Sequence, residues 1–320
     1  MARRKYGAEE TIYLAPEEVS MEADPTAEDT ITVEDTSTEV FKVSEIPELR
    51  SEICKVFRMS DGTEQAVYYP ETVHVLDDDT NTYDDVDNTL APEEDGRHFV
   101  SGKNHFTARF SRENENDELF SIESGMHRVT VSAKKNSKQK NKGIMPKVHK
   151  KTAEGMERAD ALVFARVQEG SDYEYSVTGN GVKENIVVKD KSDVYRYSFI
   201  LRQENVTAEF DEVNKRIAFI SNETGDEVFF IPSPYMTDDN GVISTAVYYE
   251  VKNAAGSDVI LNIVADSEWM NEESRAFPVI IDPQIKVSGN SAMTTYSWDS
   301  GSLYGASMHT IGTTGCGDIF

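Results

Sequence analysis

The stretch from Glu227 to Pro283 constrains the fold of this chain more than any other part of its sequence. Short apolar and aromatic runs alternate there with turn-forming residues, in the order VFFIPSPYM, DDNG, ISTAVYYEV, NAAGSD, VILNIVAD and RAFPVIIDP. Short runs rich in β-branched and aromatic residues, bounded by Gly, Asn and Asp, are typical of antiparallel strands joined by tight turns. The stretch therefore predicts an all-β fold.

The same pattern extends over most of the chain. Segments such as QAVYYPETVHVL, HFVSGKNHFTARFS and HRVTVSA are predicted strands, and Gly179-Asn180-Gly181 is a predicted hairpin turn between SDYEYSVT and VKENIVVKD. The strand-like runs recur about every eight to twelve residues, which favours a sandwich over βαβ units. No long amphipathic helix is evident. We expect two antiparallel β-sandwich-like domains and a disordered acidic N-terminus.

Shifts in composition along the chain set the predicted domain boundaries. The first segment is rich in Glu, Asp and Thr and holds too few apolar residues to offset the entropy of ordering it. A lysine-rich segment with Gly and Pro later interrupts the strand pattern, and near the end the chain becomes rich in Ser, Thr and Gly. We predict a disordered acidic leader at 1–45, an N-terminal β domain at 46–133, a Lys-rich linker at 134–151, a second β-sandwich domain at 152–285 and the truncated start of a further β module at 286–320.

The charge of the chain bears on its partners. With 58 acidic and 32 basic residues the net charge is −26, and such a surface repels nucleic-acid phosphates and anionic membranes. The lysine-rich segment could instead form a basic patch for polyanions, but it lacks aromatic residues for stacking, so a solvated loop is favoured. No apolar stretch is long enough to span a membrane, and the N-terminus does not read as a signal peptide. The sequence predicts no nucleic-acid partner and no membrane insertion.

The candidates for metal binding and catalysis are weak. Asp77, Asp79 and Asn81 fall at alternate positions, as the first ligands of a calcium loop do, but Thr82 and Asn88 stand where that loop needs a Gly and a Glu. An acidic hairpin tip in water is the favoured interpretation. The two cysteines and six histidines form no zinc-binding spacing, and no nucleophile elbow or phosphate loop is present. We predict no catalytic residue, metal or cofactor.

Aromatic side chains supply the weak candidates for ligand binding. Exposed tyrosines on a sheet can stack on sugar rings, and Tyr68, Tyr69, Tyr248 and Tyr249 occur as adjacent pairs in predicted strands. Cell-wall glycan is the partner that such a surface would suit.

Near the end of the second domain, two further contacts are expected. Trp269 has apolar neighbours in sequence and is predicted to lie in the core. Arg275 is expected to pair with Asp266 or Glu268 across the last hairpin.

Several motifs of the second domain resemble the region ahead of the repeats in large bacterial Rhs/YD-repeat proteins, including wall-associated proteins of Firmicutes. They are YEYSV at 173–177, GVKENI at 181–186, FIPSPYM at 230–236, and ADSEW with RAFPVIIDP between 265 and 283. The first domain adds FRMSDG and VDNTL, which look like the N-terminal strands of that family. The tail TYSWDSGSLYGASMHTIGTTG is similar to the start of the DNRLRE module that often follows. The resemblance covers about residues 50 to 320.

This resemblance implies a secreted or wall-attached protein. In that family the β domains precede a carbohydrate-interacting or shell-forming repeat region that sometimes ends in a toxin, and no catalytic residue can be carried over to this chain. We therefore expect a non-enzymatic, extracellular or cell-wall-associated β scaffold whose partner is the downstream portion of the same polypeptide. The alternatives are a module that binds cell-wall polysaccharide and, third, a glycan hydrolase that uses paired carboxylates.

Overall fold

The structure is a computed structural model. It describes residues 39–94, 96–112, 118–134, 146–153, 156–168, 171–253 and 258–288. Most of the predicted acidic leader and of the predicted C-terminal module lies outside these residues. The last residues of the leader do not follow the prediction of disorder, because Lys42–Glu45 is a strand that pairs with its successor.

The described residues are almost entirely β, which confirms the predicted fold class. In chain order the strands are β1 (Lys42–Glu45), β2 (Cys54–Met59), β3 (Glu64–Tyr68), β4 (His74–Asp77), β5 (Thr82–Asp85), β6 (Leu90–Pro92), β7 (His98–Ser101), β8 (Thr107–Ser111), β9 (Glu118–Ser124), β10 (His127–Ala133), β11 (Pro146–Ala153), β12 (Met156–Gln168), β13 (Ser171–Thr178), β14 (Gly181–Val188), β15 (Arg196–Glu204), β16 (Val206–Asp211), β17 (Arg216–Ser221), β18 (Glu227–Ile231), β19 (Tyr235–Thr237), β20 (Ile243–Ser244), β21 (Val247–Asn253), β22 (Val259–Ala265), β23 (Val279–Asp282) and β24 (Gln284–Val287).

Two large antiparallel sheets form the body of the molecule. One has eight strands in the order β21-β22-β15-β10-β9-β8-β7-β6. The other has eleven strands, with β11-β12-β13-β14-β24-β18-β17-β16 as its main path and β19, β20 and β23 beside it. Both contain the short hairpins that the turn-forming residues predict, such as β13–β14 around Gly179 and Asn180.

The two large sheets share one apolar core. Tyr175 of the eleven-stranded sheet lies 5.0 Å from Phe120 of the eight-stranded sheet between ring centroids, and Tyr173 lies 5.4 Å from Phe199 in the same way. The alternation of buried and partly exposed residues along β13 explains this contact, because every second side chain of a strand points to the same face. The arrangement is a β-sandwich.

Strands from both sides of residues 134–151 join the eight-stranded sheet. β10 pairs with β15 over six residues, from Arg128 opposite Glu204 to Ala133 opposite Phe199. This pairing satisfies the backbone groups of both strands and places Val131 and Leu201 in the shared core. The end of the predicted linker, from Pro146 onward, is strand β11. The domain boundaries themselves stay a prediction.

Two small sheets lie at the N-terminal end. β1, β2 and β3 form a three-stranded sheet, and β4 and β5 form a hairpin. The segment that precedes β4 rests on the β13–β14 turn: the Thr72 N–H donates to Asn180 Oδ1 at 2.9 Å, and the Gly179 N–H donates to Glu71 Oε2 at 3.2 Å.

The described residues contain a single α-helix, α1 (Ser267–Asn271), which Asp266 caps by accepting from the Trp269 N–H at 2.8 Å. The expected pairing of Arg275 is wrong. Its guanidinium donates to Asp238 and to Glu272 instead, because the fold places the turn after β19 beside Arg275. Trp269 packs against the edge of the core, with Arg275 3.3 Å above its ring.

Candidate functional site

A polar depression of about 800 Å³ lies on the face of the eight-stranded sheet that points away from the core. Its walls combine acidic, basic and imidazole side chains from strands β7 to β10 and β15 and from the turn after β6. They are Glu93, Glu94, His98, Arg109, Glu118, Ser121, Glu123, Arg128, Thr130, Arg202 and Glu204.

Strand register brings these side chains together. Arg128 of β10 stands opposite both Glu123 of β9 and Glu204 of β15. Cross-strand neighbours on one face of a sheet lie about 5 Å apart at Cβ, so opposite charges at such positions contact each other. The residues between them, such as Ile122 and Val129, are fully buried on the other face. One sheet thus builds the core with one face and the depression with the other.

Glu123 is the centre of the charge network. Arg109 Nη1 donates to its Oε1 at 2.6 Å, and Arg128 Nε donates to the same oxygen at 2.8 Å. Partial burial opposes ionisation of Glu123, but the hydrogen bonds from both arginines outweigh it and lower its pKa. Arg109 also donates through Nε to Glu93 Oε1 at 3.2 Å. The carboxylate of Glu123 is therefore charged at neutral pH and holds two guanidinium groups in place.

An imidazole and a more exposed arginine complete the depression. His98 Nδ1 lies 3.6 Å from Glu93 Oε2, and Arg202 Nε lies 3.8 Å from Asp258 Oδ1. The side chain of Arg202 is 60% exposed, so this guanidinium is held less tightly than those of Arg109 and Arg128.

Groups of these types can transfer protons and bind phosphate oxygens. An imidazole beside a carboxylate can transfer protons to and from oxygen, and arginine forks bind phosphate oxygens in pairs and stabilise charge that develops on them. At rest Arg109 and Arg128 are bound to carboxylates. A phosphate that enters the depression must therefore replace a carboxylate as the acceptor of their hydrogen bonds.

The predicted cation ligands Asp77, Asp79 and Asn81 lie at the β4–β5 turn, where Asp77 is engaged by other groups. Asp77 Oδ1 accepts from the backbone N–H groups of Asp79 and Thr80, each at 3.1 Å, and its Oδ2 pairs with Lys103 at 2.9 Å. The hydrogen bond from Lys103 is the largest cause of a pKa lowered to about 2. Asn81 adopts φ 52° in the β4–β5 turn. In the parts of the chain that the structure describes, no three His, Cys, Asp or Glu side chains form a group that could hold a metal ion.

The predicted ligand-binding tyrosines do not form one surface. Consecutive strand residues point to opposite faces, so Tyr248 is half exposed while Tyr249 is buried and donates to the Pro232 carbonyl at 2.9 Å. Tyr68 lies on β3 of the three-stranded sheet, and Tyr69 follows it. The structure therefore does not bring these four side chains together.

Sequence reasoning missed the residues of the depression. The available signal was the recurrence of charged residues at alternate positions in neighbouring hairpin strands, as in Glu123 of ELFSIES and Arg128 of HRVTVSA. The signal locates a site only when the strand register is known, because the register decides which charged residues stand opposite each other. The pairing of β8, β9 and β10 in the structure supplies that register.

Comparison with known proteins connects this chain to nucleases. No family model matches it. The chain is 24% identical over 261 residues to the tRNA nuclease WapA of Bacillus subtilis (strain 168) and to the tRNA(Glu)-specific nuclease WapA of Bacillus subtilis subsp. natto, a match that covers 79% of the chain. It is 24% identical over 263 residues, 80% of its length, to the tRNA3(Ser)-specific nuclease WapA of Bacillus spizizenii. The match spans about 11% of the length of these curated relatives.

These names correct the interpretation drawn from the family resemblance. The relatives are named as nucleases, so the assignment to wall-associated Rhs/YD-repeat proteins with a DNRLRE start is wrong, as is the prediction of a non-catalytic cell-wall scaffold. Binding of cell-wall polysaccharide, hydrolysis of glycans and the statement that the chain is not an enzyme are overturned by the same finding.

The prediction of no nucleic-acid partner is also wrong, since the relatives are named for action on tRNA. It rested on the net charge of −26. Charges that are exposed to solvent act over about 8 Å at physiological salt, so the arrangement of charge at a contact matters more than the sum over the chain.

The structure adds one finding on membranes: along the described part of the chain, no helix is long and apolar enough to cross a bilayer. The extracellular or cell-wall location stays a prediction.

Proposed function

We propose that this chain is part of an enzyme that cleaves tRNA. The observation that carries the proposal is the match over 79% of the chain to proteins named as tRNA nucleases. Because the chain spans about 11% of the length of those relatives, the activity is proposed for the polypeptide to which the chain belongs.

Within the described residues, the polar depression is the place where we propose that RNA is bound. Its three arginines suit a ribose-phosphate chain, although five glutamates line the same depression: the Arg202 side chain is exposed, and Arg109 and Arg128 lie side by side through their shared acceptor Glu123. His98, with Glu93 beside it, supplies a group that can give or take a proton at a phosphodiester oxygen. The arginines would stabilise the charge of the phosphate as the bond to the leaving oxygen breaks.

The test is a cleavage assay on end-labelled tRNA with two purified proteins, the 320-residue chain and a full-length polypeptide that contains it. A variant His98→Ala removes the proton-transfer group of the depression, and the matched control His127→Ala removes a histidine of the same sheet that hydrogen-bonds Ser221 outside the depression. We expect His98→Ala to lower the cleavage rate by a factor of about 10² or more, the usual contribution of one general acid or base, and His127→Ala to leave the rate unchanged.

Two negative results have different meanings. If neither protein cleaves tRNA, the proposed nuclease function is wrong. If the full-length polypeptide cleaves tRNA and its His98→Ala variant is fully active, the nuclease function stands and the depression is not its catalytic site.

A further inference from the structure

Glu123 lies where two arginines of the polar depression converge. Its Oε1 atom accepts from Arg109 Nη1 at 2.6 Å and from Arg128 Nε at 2.8 Å. Strand register explains this meeting. Arg128 stands directly opposite Glu123, and Arg109 stands opposite Ser121, which is two residues away on the same face of β9. One oxygen atom is thus the acceptor of two guanidinium groups.

Carboxylates also engage the other donors of these two arginines. Arg109 Nε donates to Glu93 Oε1 at 3.2 Å, and Arg128 Nη1 lies 3.5 Å from Glu204 Oε1. Over its whole lining the depression has five glutamates and three arginines, an excess of two negative charges when His98 is neutral. A phosphate that approaches the depression in this state meets a net negative charge and guanidinium groups that are already bound.

The two guanidinium groups need an anion between them. The hydrogen bond to Glu123 is the largest cause of the raised pKa of Arg128, and the charge of Arg109 works against it. A non-bridging phosphate oxygen can take the same place as the carboxylate oxygen, because it is negatively charged and accepts hydrogen bonds from arginine in the same way. Glu123 therefore occupies a position that suits one phosphate group.

We propose that Glu123 is an internal competitor for the phosphate site of the depression: its carboxylate holds Arg109 and Arg128 as a backbone phosphate of RNA does, and RNA binds there by displacing it. This inference rests on the proposed function, because it takes RNA as the ligand. The side chain of Glu123 is 20% exposed, so it borders solvent and can turn outward about its own torsions. The paired strands keep both arginines in place when the carboxylate leaves.

Binding of a fluorescently labelled RNA oligonucleotide to the whole chain tests the competition. Glu123→Gln keeps the size of the side chain and removes its charge, so two partly solvated ion pairs no longer compete with the ligand. We expect the oligonucleotide to bind about three- to tenfold more tightly to this variant than to the unmodified chain. The matched control is Glu94→Gln, which removes the same charge from the same depression. Among the described residues neither arginine donates to Glu94, so we expect a change of less than about twofold.

A second background separates competition from a general effect of charge. In a chain that carries Arg109→Gln and Arg128→Gln, Glu123 no longer holds a guanidinium group. The gain from Glu123→Gln should then vanish, because the two effects act through the same contacts. A gain that persists in this background overturns the proposal.

If Glu123→Gln fails to fold, the arginine Nε–H signals in NMR spectra of the unmodified chain decide the question. A titration with inorganic phosphate should shift the signals of Arg109 and Arg128 together. The signal of Arg216, which pairs with Asp211 and Glu227 on the other large sheet, should stay in place. Equal shifts of all three signals, or no shift of any, contradict a phosphate site at Glu123.

Failure of this inference and failure of the proposed function give different results. If the full-length polypeptide cleaves tRNA while Glu123→Gln and Glu94→Gln bind the oligonucleotide equally well, Glu123 is not a competitor and the nuclease function stands. If no tRNA is cleaved while Glu123→Gln alone binds the oligonucleotide more tightly, the competition stands and the nuclease function is wrong.

Discussion

The guanidinium of Arg275 donates through Nη1 to Asp238 Oδ2 at 3.0 Å, and both side chains are almost fully buried. This ion pair ties the turn after β19 to the segment that follows α1. Asp238 also accepts through Oδ1 from the N–H groups of Asn240 and Val242, at 3.0 and 2.9 Å, so one carboxylate organises the turn and anchors it.

Removal of one partner of this buried pair should destabilise the protein strongly. We expect Asp238→Asn to lower the free energy of unfolding by about 3 kcal/mol, because the buried Arg275 guanidinium then loses its buried counter-charge and keeps only its pair with Glu272, whose side chain is 52% exposed. Urea denaturation measures the change. The exposed neighbour offers a control, Asp239→Asn, for which we expect less than about 0.5 kcal/mol; equal effects of the two variants would show that the pair has no special role.

The buried carboxyl of Glu184 should make stability fall as the pH rises. Burial raises its pKa to about 8, opposed by the hydrogen bond that it accepts from the Tyr175 hydroxyl at 2.5 Å. The folded state therefore keeps a proton that the unfolded state loses above about pH 4.5, and stability decreases by up to about 1.4 kcal/mol per pH unit between those two values.

The variant Glu184→Gln keeps an acceptor for Tyr175 and cannot ionise. Unfolding by urea at pH 5, 6, 7 and 8 should show a flatter profile for Glu184→Gln than for the unmodified chain. Glu174→Gln, on the neighbouring strand, should leave the profile unchanged. A slope that survives in Glu184→Gln would assign the pH dependence to other groups.

Gly179 should tolerate no side chain. A Cβ at this position would lie 2.1 Å from the Thr72 carbonyl oxygen, which is a backbone atom and cannot rotate away. We expect Gly179→Ala to cost about 1 to 3 kcal/mol of stability through overpacking and to loosen the segment before β4. Thermal unfolding measures the cost. In Gly225→Ala the Cβ meets nothing within 4 Å and only the positive φ is penalised, so that variant should cost about 1 kcal/mol; a larger loss there than in Gly179→Ala would contradict the steric argument.

The centre of the polar depression should depend on the charge of Glu123. Glu123→Gln weakens its hydrogen bonds to Arg109 and Arg128, and because these groups are partly solvated we expect a loss of about 1 kcal/mol at pH 7. The pKa of Glu123 is lowered in the folded state, so its contribution is present above about pH 4.5 and is lost as the pH falls through the folded pKa.

Urea denaturation at pH 7 and pH 3 checks the role of Glu123: the two proteins should differ at pH 7 and converge at pH 3. Glu94→Gln, at the rim of the same depression, should behave like the unmodified chain at both values. A constant difference at both pH values would mean that shape, rather than charge, explains the loss.

Local sequence information was sufficient for strands and turns, because these depend on neighbouring residues. The Asn-Gly turn at Asn180 and the alternation along β13 were both readable, since a strand repeats every two residues and Gly accepts backbone angles that other residues avoid. The same information misled at Arg275, because Asp266 and Glu268 are close in sequence whereas Asp238 is brought near by the fold. Local sequence information also misled at Tyr248 and Tyr249, because consecutive residues of a strand point to opposite faces of the sheet.

The sequence by itself determined that this chain folds into antiparallel sheets, because spacing of apolar residues and turn chemistry act over a few neighbours. Only the tertiary structure decided that Tyr175 meets Phe120 across one shared core, that Glu123 gathers two arginines, and that the His74 ring lies between Glu45 of β1 and Asp85 of β5. These contacts join residues far apart along the chain, and their geometry depends on strand register and sheet packing. A difference of a single residue in register would move each of these side chains to the opposite face.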